Sequence, residues 1–213
     1  LFFVIFWVNR NARRKRPGDL LYCFSEFLKK MQKEEGHKKA TLLLHTDPLD
    51  NEGPNLFAIS EMLGIRDNVV FSNQRVDFQT MNVLHNISDV IINISYAEGF
   101  GLSTLEAMMT ATPIIAPKTG GQTRQVVNAY DGTENGVALD IDLRTLVGSQ
   151  GVPYIWEDMV HNDRITDAMW KMYEMGPQQR FVLGRKAYEY AKKEFGYEKT
   201  VELWHQKMLE TVF

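Results

Sequence analysis

Six short apolar runs punctuate the first two thirds of this 213-residue chain, at residues 2–8, 41–45, 68–72, 90–95, 113–116 and 136–140. A segment with helical spacing follows each of the first five. Runs this short and rich in Val, Ile and Leu suit strands buried on both faces, and strands alternating with helices build βαβ units. Parallel neighbours need crossovers, and such crossovers are right-handed. The expected fold is therefore α/β, a Rossmann-like doubly wound parallel sheet. Its helices are expected at residues 17–33, opened by Pro17 and closed by Gly36, and at 55–63, 78–86 and 103–110. A further helix should follow Gly120-Gly121 and run to about residue 129.

Strand signals fade near Trp156. Residues 155–175, 177–194 and 197–212 read as three helices, broken at Gly176-Pro177 and Phe195-Gly196. Residues 143–154, with Gly148, Gly151 and Pro153, read as a loop or hairpin. The division is thus a sheet domain over 1–142, and over 143–213 a loop or hairpin with C-terminal helices that pack on the same domain.

Apolar residues make up 44% and charged residues 24% of the chain, enough apolar surface for a sizeable core and too much for a disordered segment. The longest apolar run, residues 1–8, is too short to span a bilayer as a helix. It also lacks the basic start and small-residue cleavage site of a signal peptide. A chain that opens on Leu1 and enters a strand at once is expected to have lost an N-terminal portion. The single cysteine, Cys23, excludes an intrachain disulfide and a cysteine-rich metal site, and fits a reducing, cytoplasmic compartment. The histidines show no metal-ligand spacing, so no metal is expected. Neither a P-loop nor a G-x-S-x-G elbow occurs.

The net charge of −3 hides an asymmetry: Arg10, Arg13, Arg14, Lys15 and Arg16 carry +5, so the remainder carries −8. One basic knot suits a small anion, not a nucleic acid, which would need a whole basic face. In a sheet of order 3-2-1-4-5-6, ligands bind beyond the carboxyl ends of the strands where the order reverses, between strands 1 and 4. The knot follows strand 1. The loop Glu98-Gly99-Phe100-Gly101-Leu102 follows strand 4 and opens a helix near Ser103. A helix start offers unpaired N–H groups to an anion, and glycines let the backbone approach it closely. Facing Arg and Lys side chains complete a phosphate or diphosphate cradle. On the bland reading the glycines only permit a tight turn and the cations form a solvated face; their shared place at the reversal favours a ligand. Glu98 and Glu106 bracket the loop, and carboxylates beside an anion site suit sugar hydroxyls.

The segment Glu98-Gly99-Phe100-Gly101-Leu102-Ser103-Thr104-Leu105-Glu106 resembles the E-x7-E signature of GT-B-fold retaining glycosyltransferases, group 1 or family 4-like. Arg10 with Lys15 is similar to that family's Arg…Lys pair, and Thr119-Gly120-Gly121 to its glycine loop. Asn135-Gly136-Val137 matches a later turn. The resemblance implies the C-terminal, donor-binding half of such an enzyme, moving a sugar from a nucleoside diphosphate sugar, UDP- or GDP-linked, with retained configuration. It implies that Arg10 and Lys15 hold the diphosphate, with Arg16 as an alternative to Lys15. Glu98 would contact the sugar and Glu106 the ribose, and the backbone of Phe100, Gly101, Leu102 and Ser103 would cap phosphates or sugar. The base would lie near Asn73 and Val76, where Phe71-Ser72-Asn73 departs from the family's Phe-x-Gly. No further cofactor is implied. The partner is the missing N-terminal domain, the only part through which a membrane would be met, and the fragment alone is expected to be inactive. Rival readings are a nucleotide-sugar epimerase, a non-catalytic nucleotide-sugar-binding module, and a glycosidase using Glu98 and Glu106.

Overall fold

Each apolar run becomes a strand of one sheet in the computed structural model, which describes residues 2–212. In chain order the elements are β1 (Phe3–Val8), α1 (Pro17–Glu35), β2 (Ala40–His45), α2 (Leu56–Met62), β3 (Val69–Ser72), α3 (Phe78–Asn86), β4 (Val90–Ile92), α4 (Leu102–Met109), β5 (Ile114–Pro117), α5 (Gln122–Val126) and β6 (Val137–Leu139). The spatial order is β3-β2-β1-β4-β5-β6 and every pairing is parallel. The order reverses between β1 and β4, as expected. Ile5 lies opposite Leu42 on one side and Val90 on the other, and all three are fully buried. A slip of one residue would turn each to the wrong face, so the apolar pattern fixes the register.

Two helical layers cover the sheet. On one face Phe24, Phe27 and Met31 of α1 pack with Met169 and Trp170 of α6 (Asn162–Glu174). On the other, Phe6 and Ile91 meet Met108 of α4 and Ala187 and Tyr190 of α7 (Gly176–Phe195). Buried Arg180 ties α7 to the sheet: it donates to the carbonyl of Met172 at 3.0 Å and to Asp89 at 2.8 Å, and Asp89 accepts the Val4 N–H at 2.8 Å. The last helix, α8 (Tyr197–Val212), is largely exposed. Among the described residues no helix is long and apolar enough to cross a membrane.

Local chemistry explains the boundaries. Asn55 and Asp77 cap α2 and α3 by accepting the N–H groups of Ala58 and Thr80. β4 stops at Ile92, short of the expected Ser95, because Asn93 Oδ1 accepts from both the N–H and the hydroxyl of Ser95 and turns the chain. α5 stops at Val126 because Val127 is extended and bridges to Glu134.

The larger correction concerns residues 155–161, which the sequence presents as the start of a helix. They hold a strand, β8 (Ile155–Met159), paired antiparallel with β7 (Leu143–Val147). The helix begins only at Asn162. Glu157 and Asp158 of β8 are both buried and held by charged partners, Glu157 by Arg13 at 144 positions' distance and Asp158 by Arg144 opposite it on β7. Ion pairs anchor this strand where apolar burial would usually do so, and therefore no apolar alternation marks it.

Candidate functional site

At the carboxyl ends of β1 and β4 lies a cavity of about 420 Å³. Val8, Asn9 and Lys15 line it from one side, and residues 98–103 from the other. The basic knot reaches it through a single 3-10 turn, Arg13–Lys15, that buries Lys15. Arg16 then takes a left-handed conformation (φ 57°) to start α1 at Pro17. That conformation is uncommon for a side-chain-bearing residue and has to be held. Arg16 donates to Asp19 at 2.8 Å, to the Val160 carbonyl at 3.0 Å and to Asn162 at 2.9 Å, and stacks on Tyr96 at 4.7 Å. Its guanidinium is thus committed to α1 and α6, whereas Lys15 lines the cavity.

An acid answers every cation of the knot. Lys15 bonds Glu98, and both side chains are almost buried. Burial pulls the Lys15 ammonium below its ordinary pKa against the opposing pull of Glu98. Arg14 lies 3.9 Å from the same carboxylate and donates to the Ala97 carbonyl at 3.3 Å. Arg13 makes a two-pronged pair with Glu157, which raises its pKa. Arg10 is not among the residues that line the cavity and reaches the β2–α2 loop, where Asp50 at 2.7 Å and Glu52 at 2.9 Å hold its exposed guanidinium.

The opposite wall is built backbone against backbone. Gly121 donates its N–H to the carbonyl of Gly99 at 3.1 Å and to that of Glu98 at 3.3 Å. A Cβ on Gly121 would stand 2.7 Å from Phe100 Cα, so only glycine fits. Gln125 donates to the Phe100 carbonyl at 2.7 Å, and Gln122 to Thr104 at 3.0 Å. Gly101 turns the chain at φ 89° and α4 follows at once, so the first N–H groups of α4 have no intrahelical partners. Gly99 differs from these glycines. It lines the cavity, has no positive φ, and a Cβ there would meet nothing within 4 Å. Packing does not demand a glycine at that point. The buried Nδ2 of Asn9, also at the cavity, has no hydrogen-bond partner among the described residues.

Three further expected residues, Glu106, Asn73 and Val76, lie outside the cavity lining. Glu106 is half exposed on α4, outside the cavity lining, with the buried His85 Nε2 at 3.7 Å. Asn73 is exposed and Val76 half-buried in the loop after β3. His45 at the end of β2 shares a 2.9 Å hydrogen bond with Ser72, and Lys118 pairs with Asp140 at 2.6 Å. Among the described residues no group of His, Cys, Asp and Glu is gathered to hold a metal ion.

Sequence reasoning missed the contribution of β8. Asp158 accepts from Thr119 Oγ1 at 2.7 Å and from Arg144 Nε at 2.5 Å, and donates its N–H to the Tyr96 carbonyl at 2.8 Å. Burial alone would push the Asp158 carboxyl up, but Arg144 and Thr119 outweigh it and leave the carboxyl below its ordinary value. Such a group contributes stability that is complete above its unfolded pKa of about 3.9 and fades as pH falls through the lower folded value. Hairpin docking is therefore expected to persist down to about pH 4 and to loosen below it. Hydrogen exchange at the Asp158 amide, corrected for its intrinsic pH dependence, checks this. Protection already lost near pH 6 would contradict it.

A family model described as "Glycosyl transferases group 1" matches residues 3–140. A D-inositol 3-phosphate glycosyltransferase of Corynebacterium jeikeium is 28% identical over 193 residues, covering 82% of this chain and 44% of the relative. Among solved structures, sucrose-phosphate synthase from Thermosynechococcus elongatus superposes with a TM-score of 0.73 at 21% identity, over 98% of this chain and 46% of that one. Anabaena Alr3699/HepE, in complex with UDP and glucose, gives a TM-score of 0.70 at 19% identity, over 99% of this chain and 48% of its own. The chain therefore spans less than half the length of each of these relatives.

Proposed function

The chain belongs to the group 1 glycosyl transferases, and from that premise we propose that it is the donor-binding half of an enzyme moving a sugar from a nucleoside diphosphate sugar to an acceptor with retained configuration. The acceptor half would lie in the rest of the protein, and this half alone would be inactive. One observation carries the reading: Gly99 is a glycine that the fold itself does not require, and the space its missing Cβ leaves opens into a cavity with Lys15 on one wall and a helix start on the other. A ligand that needs close backbone approach and carries negative charge explains both. The UDP held by the Anabaena structural neighbour is a ligand of that kind.

In this reading the leaving diphosphate gathers charge as the sugar departs. Lys15 and the first N–H groups of α4 stabilise that charge from fixed positions, and Arg10 joins them by leaving Asp50 and Glu52. Glu98 accepts hydrogen bonds from the sugar once the ligand draws Lys15 toward its phosphates. Glu106 does the same for the ribose, and the base rests near Asn73 and Val76. The two carboxylates act by orienting the donor. The glycosidase alternative wants both carboxyls flanking one bond, and only Glu98 lines the cavity.

Calorimetric titration with UDP, GDP and ADP tests the assignment and identifies the base. Binding of one diphosphate, weakened at least about tenfold in Glu106→Ala, is the expected result, because a lost charged hydrogen bond is worth about 1.5–3 kcal/mol. Absence of binding in the protein that carries this chain at its full length would overturn the donor reading.

A further inference from the structure

Strand β8 touches the crevice loops that follow three different strands of the sheet. Glu157 takes Arg13 from the loop after β1. The Asp158 N–H bonds the Tyr96 carbonyl in the loop after β4, two residues before Glu98. The Asp158 carboxylate takes the Thr119 hydroxyl at 2.7 Å in the loop after β5. Tyr96 also donates its N–H to the Arg14 carbonyl at 2.9 Å, which closes the circuit between the first two loops. Glu157 and Asp158 are each about 6% exposed, although successive strand residues point to opposite faces and the rest of the hairpin lies largely in solvent. A ribbon that buries two adjacent acids, each against a separate loop, is fastened at that point on both faces.

We propose that β8 straps the donor crevice, with Asp158 and Glu157 as positioning residues that hold the glycine loop and the basic knot against the Glu98 loop. The chain of contacts is short. Asp158 fixes Thr119; the next two residues are Gly120 and Gly121; the Gly121 N–H holds the carbonyls of Glu98 and Gly99. Displacing Thr119 therefore displaces the backbone that carries Glu98. Arg144 supplies the counter-charge that lets Asp158 remain an anion while buried. Glu157 does the same work on the other wall, orienting Arg13 beside Lys15. The consequence for donor binding rests on the function proposed above; the mechanical coupling does not.

Hydrogen exchange and nucleotide titration on one set of variants separate the two. In Asp158→Ala the Gly121 amide is expected to exchange at least tenfold faster than in the wild type, while the amides of β1 and β2 keep their protection. Asp158→Asn retains an acceptor for Thr119 and should restore most of the Gly121 protection. Thr119→Val, which removes the hydroxyl, should match Asp158→Ala, and the double variant should be no worse than either single one. The diphosphate that the wild type binds should lose at least tenfold in affinity in Asp158→Ala and in Thr119→Val, and regain most of it in Asp158→Asn. Should Asp158→Ala fail to fold, Thr119→Val and Asp158→Asn carry the comparison. Unchanged Gly121 exchange in Thr119→Val, or losses that add in the double variant, would overturn the strap, whether or not nucleotide binds. Wild-type protein that binds no diphosphate would overturn the donor reading, and the exchange data would then decide the strap by themselves.

Discussion

Lys15→Met is expected to weaken nucleoside diphosphate binding at least tenfold and, separately, to lower stability by about 3 kcal/mol. The two losses have different causes. Lys15 and Glu98 are paired with side chains only 8% and 13% exposed. Removing the ammonium leaves the Glu98 carboxylate nearly buried without its main partner. Breaking such a pair costs roughly 3–5 kcal/mol, and the low end applies because Glu98 borders a cavity through which water can reach it. Adding Glu98→Gln removes the stranded charge, so the double variant should recover most of the stability in a denaturant melt. It should recover none of the binding, because the cation meant for the phosphates is still missing. A double variant that binds nucleotide as the wild type does would take Lys15 out of the diphosphate site. Arg10→Ala is expected to show the binding loss alone, a clear drop in affinity with little change in stability, because an exposed ion pair contributes little.

The sheet was legible because its information is local. Ile5, Leu42 and Val90 sit in short runs that are apolar on both faces, and the order β3-β2-β1-β4-β5-β6 is the common doubly wound one, which alternation and right-handed crossovers permit but do not fix by themselves. Helix ends were legible where a single residue sets them, as with Pro17 and Gly36. The place of the crevice followed from topology, because the knot and the residue 98–103 loop follow the two strands between which the order reverses. What could not be read was the partner of each charge. Lys15 with Glu98 spans 83 positions, Arg13 with Glu157 spans 144, and Arg10 turns to an acidic loop 40 residues on. Ion pairs over such separations leave no periodic trace. The same blindness hid β8, whose central residues are acids, and made Arg16 a candidate ligand when its guanidinium closes the joint between α1 and α6.

Glycine substitutions separate the demands of the fold from those of the ligand. Gly121→Ala is expected to destabilise the protein by about 1–3 kcal/mol, the usual cost of forcing extra volume into a packed site. The new Cβ would lie 2.6 Å from the Gly99 carbonyl oxygen and 2.7 Å from Phe100 Cα, and backbone cannot swing aside as a side chain can. The Glu98 loop has to move, so nucleotide affinity should fall with stability. Gly99→Ala makes the opposite case. Its Cβ would meet nothing within 4 Å and its backbone needs no positive φ, so the melting midpoint should hardly change. Yet the added methyl projects beside the cavity where the backbone is proposed to approach the donor, and affinity should drop at least tenfold, about 1.4 kcal/mol or more. Loss of binding in both variants, with loss of stability in only one, is the pattern of two packed loops in which the glycine after β5 serves the packing and the glycine after β4 serves the ligand. If Gly99→Ala binds nucleotide normally, the space beside Gly99 is not where the donor sits, and the helix start of α4 loses its assigned role with it.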